Sequence, residues 1–385
     1  MRHQNSVFHQ ILQFVPWAGF KALVDHHGAD ARVRHLTTKS QFVALLGGQL
    51  SGASSLRDIE ATLHSHEQRL FHLGVKAPAR STLADANAKR PAAVFADLFS
   101  VVLKQSRPAA RRHAREAIHV LDATSIRLCA QSKHWANYEP HDAMVKVHVS
   151  YHPEEDIPTR FEVTPARLND ITVAKAQALE PGATYVFDLG YYDFTWFSEI
   201  NAAGCRFVTR LKTHTRPRVV REFPVAPGGP VKADRHIRID GRLKSARGRR
   251  HPLHATTLRE VEVTIDTGKT LRLLTNDLNA SADEIANLYK ARWRIELFFR
   301  WIKQHLKIKR FLGVSENAIR VQIAVALIAY LLLKIAHQAQ TKVPSLLTFA
   351  RLIRANLMHL RLLCELDKPP PPKEPDPCQP ELALC

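Results

Sequence analysis

Three acidic residues stand in the sequence where carboxylates could do chemistry. Asp122 follows the apolar run "AIHVL", and Asp188 follows "ATYVF", so each is predicted to lie where a buried strand ends. Glu296 is the single acidic residue in the strongly basic segment 289–311, "YKARWRIELFFRWIKQHLKIKRF". A strand end holds a side chain on rigid backbone while the side chain itself meets solvent or a ligand. We therefore predict that Asp122, Asp188 and Glu296 converge on one point.

Three crowded carboxylates repel one another unless cations neutralise them. Mg²⁺ binds through a few carboxylates plus substrate phosphates, and two such ions about 4 Å apart would clamp an in-line phosphoryl displacement. Each residue alone also has an ordinary interpretation, because a strand-end Asp often forms a turn. Glu296 would then make only surface ion pairs, with Arg292 and Arg300. Asp193 is a nearby alternative to Asp188, which we favour because it directly follows the strand.

Helical periodicity places the residues of segment 289–311 on two faces. At about 100° per residue, four polar side chains fall within an arc of about 60° on one face, with two more close to it. The four are Tyr289, Arg292, Glu296 and Lys303, and the two are Arg300 and Lys307. The opposite face is predicted to pack on the core through Leu288, Ile295, Phe298, Ile302 and Leu306.

The overall charge favours a polyanionic partner. The chain has 55 Lys and Arg against 36 Asp and Glu, a net charge of +19, which points above all to nucleic acid. The apolar run 321–333 is predicted to be a buried core helix, too short to span a membrane, and no secretion signal is recognised. The five cysteines form no CxxC pair, which favours a reducing compartment and argues against a structural zinc site.

The chain is predicted to contain several domains of different character. Residues 1–105 read as all helix, with capping boxes at Ser55/Asp58 and Thr82/Asp85, and suit a helix-turn-helix-like DNA-binding domain. The alternative for this region is a dimerisation or packing domain. The remaining parts are a mixed α/β core over 115–212, a β-rich insertion over 213–280, the rest of the core with C-terminal helices over 281–366, and a disordered Pro-rich tail over 367–385.

Several motifs resemble the DDE transposases of the insertion sequence 4 family. Tyr289, Arg292, Glu296 and Lys303 have the spacing Y-(2)-R-(3)-E-(6)-K, which is similar to that family's signature. "DATSIRLC" resembles its first-Asp block and "DLGYYDF" its second. The helical stretches "FVALLGGQLSGASSLRDIE" and "RSTLADANAKR" resemble the N-terminal domain of one branch, so the resemblance covers roughly residues 5–340.

The resemblance implies a fold and a role for each matching residue. The fold class is mixed α/β, with an RNase H-like catalytic domain interrupted by a β-rich insertion and preceded by an all-helical N-terminal domain. Asp122, Asp188 and Glu296 would be catalytic metal ligands for two Mg²⁺ ions, with Mn²⁺ as a substitute. Tyr289, Arg292 and Lys303 would contact phosphates of the element's ends.

The leading hypothesis is therefore a transposase that binds terminal inverted repeats and catalyses Mg²⁺-dependent cleavage and strand transfer. Its expected partners are the double-stranded DNA of the element ends and the target, and a second copy in a homodimeric synaptic complex. We expect no membrane association and a cytoplasmic, nucleoid-associated location in a prokaryote. Two alternatives stay open at this point: an RNase H-like nuclease or resolvase, and a transposase-derived DNA-binding protein without activity.

Overall fold

The computed structural model describes residues 5–106, 117–139, 142–240, 250–306, 308, 311–340 and 342–369. Three features singled out in the sequence lie outside these ranges in whole or in large part. They are Lys307, the basic stretch 242–250, and the Pro-rich tail beyond residue 369.

The described N-terminal region is helical, as the sequence predicts. Ser55 caps its fourth helix by accepting a hydrogen bond from the Asp58 N–H at 3.1 Å. The predicted cap at Thr82 is wrong, because the sixth helix already begins at Arg80, whose N–H donates to the Glu60 carboxylate at 2.8 Å. The helices are α1 (Val7–Leu12), α2 (Trp17–His26), α3 (Thr38–Ser51), α4 (Leu56–Ser65), α5 (Glu67–Leu70), α6 (Arg80–Lys89) and α7 (Ala93–Ser106).

One mixed sheet forms the centre of the molecule. Its strands are β1 (Ile118–Arg127), β2 (Asn137–Glu139), β3 (Asp142–His152), β4 (Ile157–Pro165), β5 (Thr184–Val186), β6 (Arg206–Arg210), β7 (Arg218–Phe223), β8 (Val231–Arg238), β9 (Leu258–Thr264) and β10 (Thr270–Thr275). Their order is β2-β3-β1-β5-β6-β10-β9-β8-β7, and β4 also pairs with β3. Strands β1, β5 and β6 run parallel, whereas the pairs β1–β3, β3–β4 and β6–β10 are antiparallel.

The segment predicted as a β-rich insertion is built from strands β7 to β10. These four strands form an antiparallel meander, and β10 pairs with β6, so the meander extends the central sheet. A turn at residues 266–268 joins β9 to β10. Gly268 has φ +78° there, and its N–H donates to the Ile265 carbonyl at 2.8 Å.

Helices cover both faces of the sheet. Side chains alternate along β1, so Val120 and Leu121 point into two different apolar clusters. The Val120 face packs against helices from both ends of the chain, and the Leu121 face packs against the helix Phe194–Ala202. The helices that follow β1 are α8 (Lys133–Ala136), α9 (Asp170–Ala176), α10 (Phe194–Ala202), α11 (Ala282–Ala291), α12 (Trp293–His305), α13 (Glu316–Ala339) and α14 (Leu346–Asn356).

Helix α13 lies at the centre of the helical part of the molecule. It spans 24 residues, so the prediction that this helix is too short to span a membrane was wrong. Within the described residues it is the one helix long and apolar enough to do so. The predicted burial is confirmed, since every residue from Val321 to Leu333 is buried. It contacts α3, α6 and α7 as well as α12 and β4. The N-terminal helices therefore share one apolar core with the sheet.

Candidate active site

Asp122 lies in the middle of β1, not at its end. The prediction failed because β3 pairs with β1 from Val120 to Arg127, which places Asp122 opposite Val149 and extends the strand to Arg127. The shorter neighbour β5 pairs with β1 only as far as Val120. Asp122 therefore sits just beyond the last β1–β5 pair, where the strand has an open edge.

Burial dominates the electrostatics of Asp122. It raises the pKa of the Asp122 carboxyl from 3.8 to about 6, although the Ala123 N–H and the Arg292 guanidinium act in the opposite direction. The charges of Asp188 and Glu296 raise this pKa further. The other two predicted carboxylates therefore each lie within electrostatic range of Asp122.

Asp188 follows β5, as predicted, and begins the turn that leads away from the sheet. Its carboxylate accepts the Gly190 N–H at 2.8 Å and caps the short 3-10 helix Leu189–Tyr191. The alternative candidate, Asp193, accepts the Trp196 N–H at 2.9 Å and caps α10, and it also pairs with Lys175 at 2.9 Å. These contacts give Asp193 a structural role.

Arg292 connects two of the three carboxylates. Its guanidinium lies 2.6 Å from a Glu296 oxygen and 3.7 Å from an Asp122 oxygen. The predicted single helix is interrupted at this residue, because Arg292 donates its N–H to the Tyr289 carbonyl three residues back, and α12 starts at Trp293. The side chains of Arg292, Asp122 and Glu296 are 17%, 21% and 31% exposed, so the group is partly screened from water.

The carboxylate oxygens have the chemistry of divalent-cation ligands, but their spacing in this structure does not form a closed metal site. Among the described residues, no three His, Cys, Asp or Glu side chains come close enough together to hold a metal ion. The Arg292 guanidinium occupies the space between Asp122 and Glu296 and supplies positive charge there. Burial raises the pKa of Asp122 even beside this guanidinium. Carboxylate oxygens are the donors that Mg²⁺ prefers.

The predicted phosphate-binding stripe faces the sheet rather than open solvent. Tyr289 is only 9% exposed, and the Arg292 guanidinium lies 5.8 Å from its ring centre. Lys303 donates to the Ser125 carbonyl of β1 at 3.3 Å. Arg300, in contrast, is exposed on α12. Arg292, Glu296 and Lys303 therefore lie where α12 meets β1, the strand that carries Asp122, whereas Tyr289 belongs to α11.

Sequence reasoning missed several side chains around this boundary. Trp293 and Leu297, 51% and 45% exposed, form an apolar strip on the solvent face of α12, which their i, i+4 spacing could have revealed. The charge of Arg210, at the end of β6, acts on the Tyr289 hydroxyl. Asp170 and Lys146 form an ion pair near the Asp188 turn, and their positions in the sequence gave no sign of it.

Comparisons with known proteins show the family of this chain. Residues 113–332, more than half of the chain, match the family model described as "Transposase DDE domain". A putative transposase, y4zB, of Sinorhizobium fredii is 40% identical over 299 residues, covering 76% of this chain and 82% of that protein. The chain belongs to the DDE transposase family. The transposase is thus an enzyme of DNA transposition, a process of DNA cleavage and strand transfer.

Two further relatives and one further domain complete the comparison. A probable transposase for insertion sequence element IS5377 of Geobacillus stearothermophilus is 27% identical to this transposase over 266 residues, 68% of each chain. A putative transposase for insertion sequence element IS4SA of Synechocystis sp. is 45% identical over 71 residues, 17% of this chain and 21% of that one. Residues 3–76 match a domain of unknown function, DUF4372.

Proposed function

We propose that the transposase belongs to the insertion sequence 4 family, binds the terminal inverted repeats of its own element, and performs cut-and-paste transposition. The observation that carries the proposal is the Arg292 guanidinium between Asp122 and Glu296, with the charge of Asp188 acting on the same carboxyl. Such a cluster of acids beside a basic helix suits phosphoryl transfer on DNA. The three antiparallel strands followed by two parallel strands support an RNase H-like core.

In this proposal Asp122, Asp188 and Glu296 hold two divalent cations, Mg²⁺ or Mn²⁺. When bound, the cations would stabilise the attacking and leaving oxygens of the phosphoryl displacement. Asp122 and Asp188 present their oxygens from neighbouring parallel strands, and Glu296 presents its own from α12. Arg292 neutralises Asp122 and Glu296 in the metal-free protein. Part of its contact with these carboxylates would be lost when a divalent cation binds.

The proposed DNA contacts differ in how open their side chains are. Arg300 is exposed and suits a phosphate of bound DNA directly. Arg292 and Lys303 lie at the α12–β1 boundary and would reach phosphates beside the carboxylates. Tyr289 is buried, so we assign it the role of supporting Arg292 while its hydroxyl borders the site. Lys307, outside the described residues, remains a predicted phosphate contact.

The wider assignments rest on the family and on the charge of the chain. We propose that the helical region 1–105 recognises the element ends, that two copies assemble with two ends, and that target DNA enters the same basic surface. The net charge of +19 supports these polyanionic partners. The proposed location is the bacterial cytoplasm, on the nucleoid.

A cleavage assay on DNA that carries the element's terminal repeats tests the proposal. We expect Asp122→Asn, Asp188→Asn and Glu296→Gln each to abolish strand cleavage while end binding persists, because binding depends on phosphate contacts. Asp193→Asn is the control and should retain cleavage in the folded fraction. Cleavage of structured DNA without terminal repeats would favour a resolvase, and binding without cleavage by the parent protein would favour the inactive DNA-binding protein.

A further inference from the structure

A second polar cluster lies behind the Asp188 turn, residues 188–191, on the other face of the sheet. Lys146 and His148 pair with Ser125 and Ala123 of β1, so their side chains point away from the face that carries Asp122. Helix α9 covers them and begins at Asp170. Lys146, His148 and Asp170 have no part in the proposed metal site or in the proposed DNA contacts.

Lys146 holds Asp170 in place. Its ammonium group donates to Asp170 Oδ1 at 2.9 Å and to the Leu168 carbonyl at 3.0 Å, which fixes the start of α9 to β3. The two side chains are 20% and 26% exposed. His148 is neutral at neutral pH and adds no positive charge beside the pair, because burial lowers its pKa to about 4.

The other oxygen of Asp170 faces the Asp188 turn. A Cβ built on Gly190 would lie 3.7 Å from Asp170 Oδ2 and 3.0 Å from Asp188 Oδ1, so both carboxylates border the same glycine. Gly190 also donates its N–H to Asp188. Tyr191, the next residue, is 3% exposed, and the charges of Asp170, Asp122 and Asp188 all act on its hydroxyl. Asp170 therefore lies beside the Asp188 turn, close to Gly190.

We propose that Asp170, anchored by Lys146, is a positioning residue that keeps the Asp188 carboxylate turned toward Asp122 and Glu296. The proposal rests on the proposed function, in which Asp188 is a metal ligand. In this role Asp170 limits how far the Asp188 turn can move toward α9, and Lys146 ties Asp170 to β3, the strand beside β1. Supporting residues of this kind commonly contribute 10–100-fold to metal affinity.

Calorimetric titration of the full-length protein with Mn²⁺ tests the proposal without relying on activity. We expect Asp170→Ala and Lys146→Met each to weaken Mn²⁺ binding by about 10–100-fold. Asp170→Asn should bind Mn²⁺ nearly as the parent does, because the amide keeps the volume and an oxygen for Lys146. Both Asp170 variants lose the ion pair, so the thermal stability of both should fall. The Mn²⁺ affinity should fall only in Asp170→Ala, and this difference separates the positioning effect from the structural effect.

A matched ion pair elsewhere provides the control. Lys334 contacts Asp156 at 2.8 Å, a Lys–Asp pair that ties the β3–β4 hairpin to α13. Asp156→Ala should lower thermal stability and leave Mn²⁺ affinity unchanged. Gly190→Ala gives a second route to the same site if Asp170→Ala does not fold. The added methyl would crowd the Asp188 carboxylate at 3.0 Å, so this variant should also weaken Mn²⁺ binding.

Three outcomes would overturn the positioning role. They are parent-like Mn²⁺ affinity in Asp170→Ala, equal loss in Asp170→Ala and Asp170→Asn, and equal loss in the Asp156→Ala control. Failure of the proposed function would look different. In that case Asp188→Asn itself would keep parent-like Mn²⁺ affinity and strand cleavage, whatever happens at Asp170.

Discussion

The charge on Asp122 should make the metal-free protein less stable than a variant that lacks it. Burial holds the pKa of Asp122 at about 6 in the folded protein, against 3.8 for the free side chain. At roughly 1.4 kcal/mol per pH unit, the difference corresponds to about 3 kcal/mol. A raised pKa means that the folded state binds the proton more tightly. This stabilisation is complete below pH 3.8 and is lost as the pH rises through about 6.

Asp122→Asn mimics the protonated carboxyl at every pH, so it should retain that stability. With a chelator present, we expect the variant to exceed the parent by up to about 3 kcal/mol at pH 7.5, and by only about 1 kcal/mol at pH 4.5. Thermal unfolding followed by tryptophan fluorescence should show a midpoint higher by several degrees at pH 7.5. Adding Mn²⁺ should raise the midpoint of the parent and not that of the variant.

Asp193→Asn is the matched control with the opposite sign. Burial raises the pKa of Asp193, but hydrogen bonds from Lys175 and the Trp196 N–H outweigh it and leave the pKa below its usual value. The charged form of Asp193 therefore stabilises the fold at neutral pH, and removing it should lower the unfolding midpoint at pH 7.5. If Asp122→Asn were less stable than the parent at pH 7.5, or gained equally at both pH values, the buried-charge explanation would fail.

Three further changes separate DNA contact, site chemistry and folding. Arg300→Ala should weaken end binding and reduce its salt slope by about one, with cleavage at saturating protein unchanged; an unaltered slope in gel-shift titrations would remove Arg300 from the interface. Arg292→Ala should reduce single-turnover cleavage more than end binding, because this guanidinium is enclosed between Asp122 and Glu296; a loss confined to binding would contradict that position. Leu327→Ala, at a site only 1% exposed, should cost about 2–5 kcal/mol in thermal or urea unfolding, and an unchanged unfolding midpoint would refute the central packing of α13.

Local signals in the sequence were sufficient for several strands and for most helices. Val145, Val147 and Val149 alternate with polar residues, a pattern typical of a half-buried strand, and they lie in β3. The apolar face of segment 289–311 predicted the burial of Ile295 and Ile302. Both signals depend on neighbours in the chain. Helix ends were less predictable where the cap comes from elsewhere, as Glu60 caps α6 across a gap of 20 residues.

The position of Asp122 and the role of Asp170 depended on pairing that the sequence does not encode locally. An apolar run that stops at an acidic residue suggests a strand end, but the long partner β3 carried β1 five residues past Asp122. The same alternation that marked Val145 and Val147 as buried implied that Lys146 faces water. Helix α9 covers that face as well, so the lysine meets Asp170 from 24 residues away. Alternation along a strand predicts the face that packs on the first layer of helices. It does not predict that a second layer covers the other face, because the partner of the charged residue there is distant in the sequence.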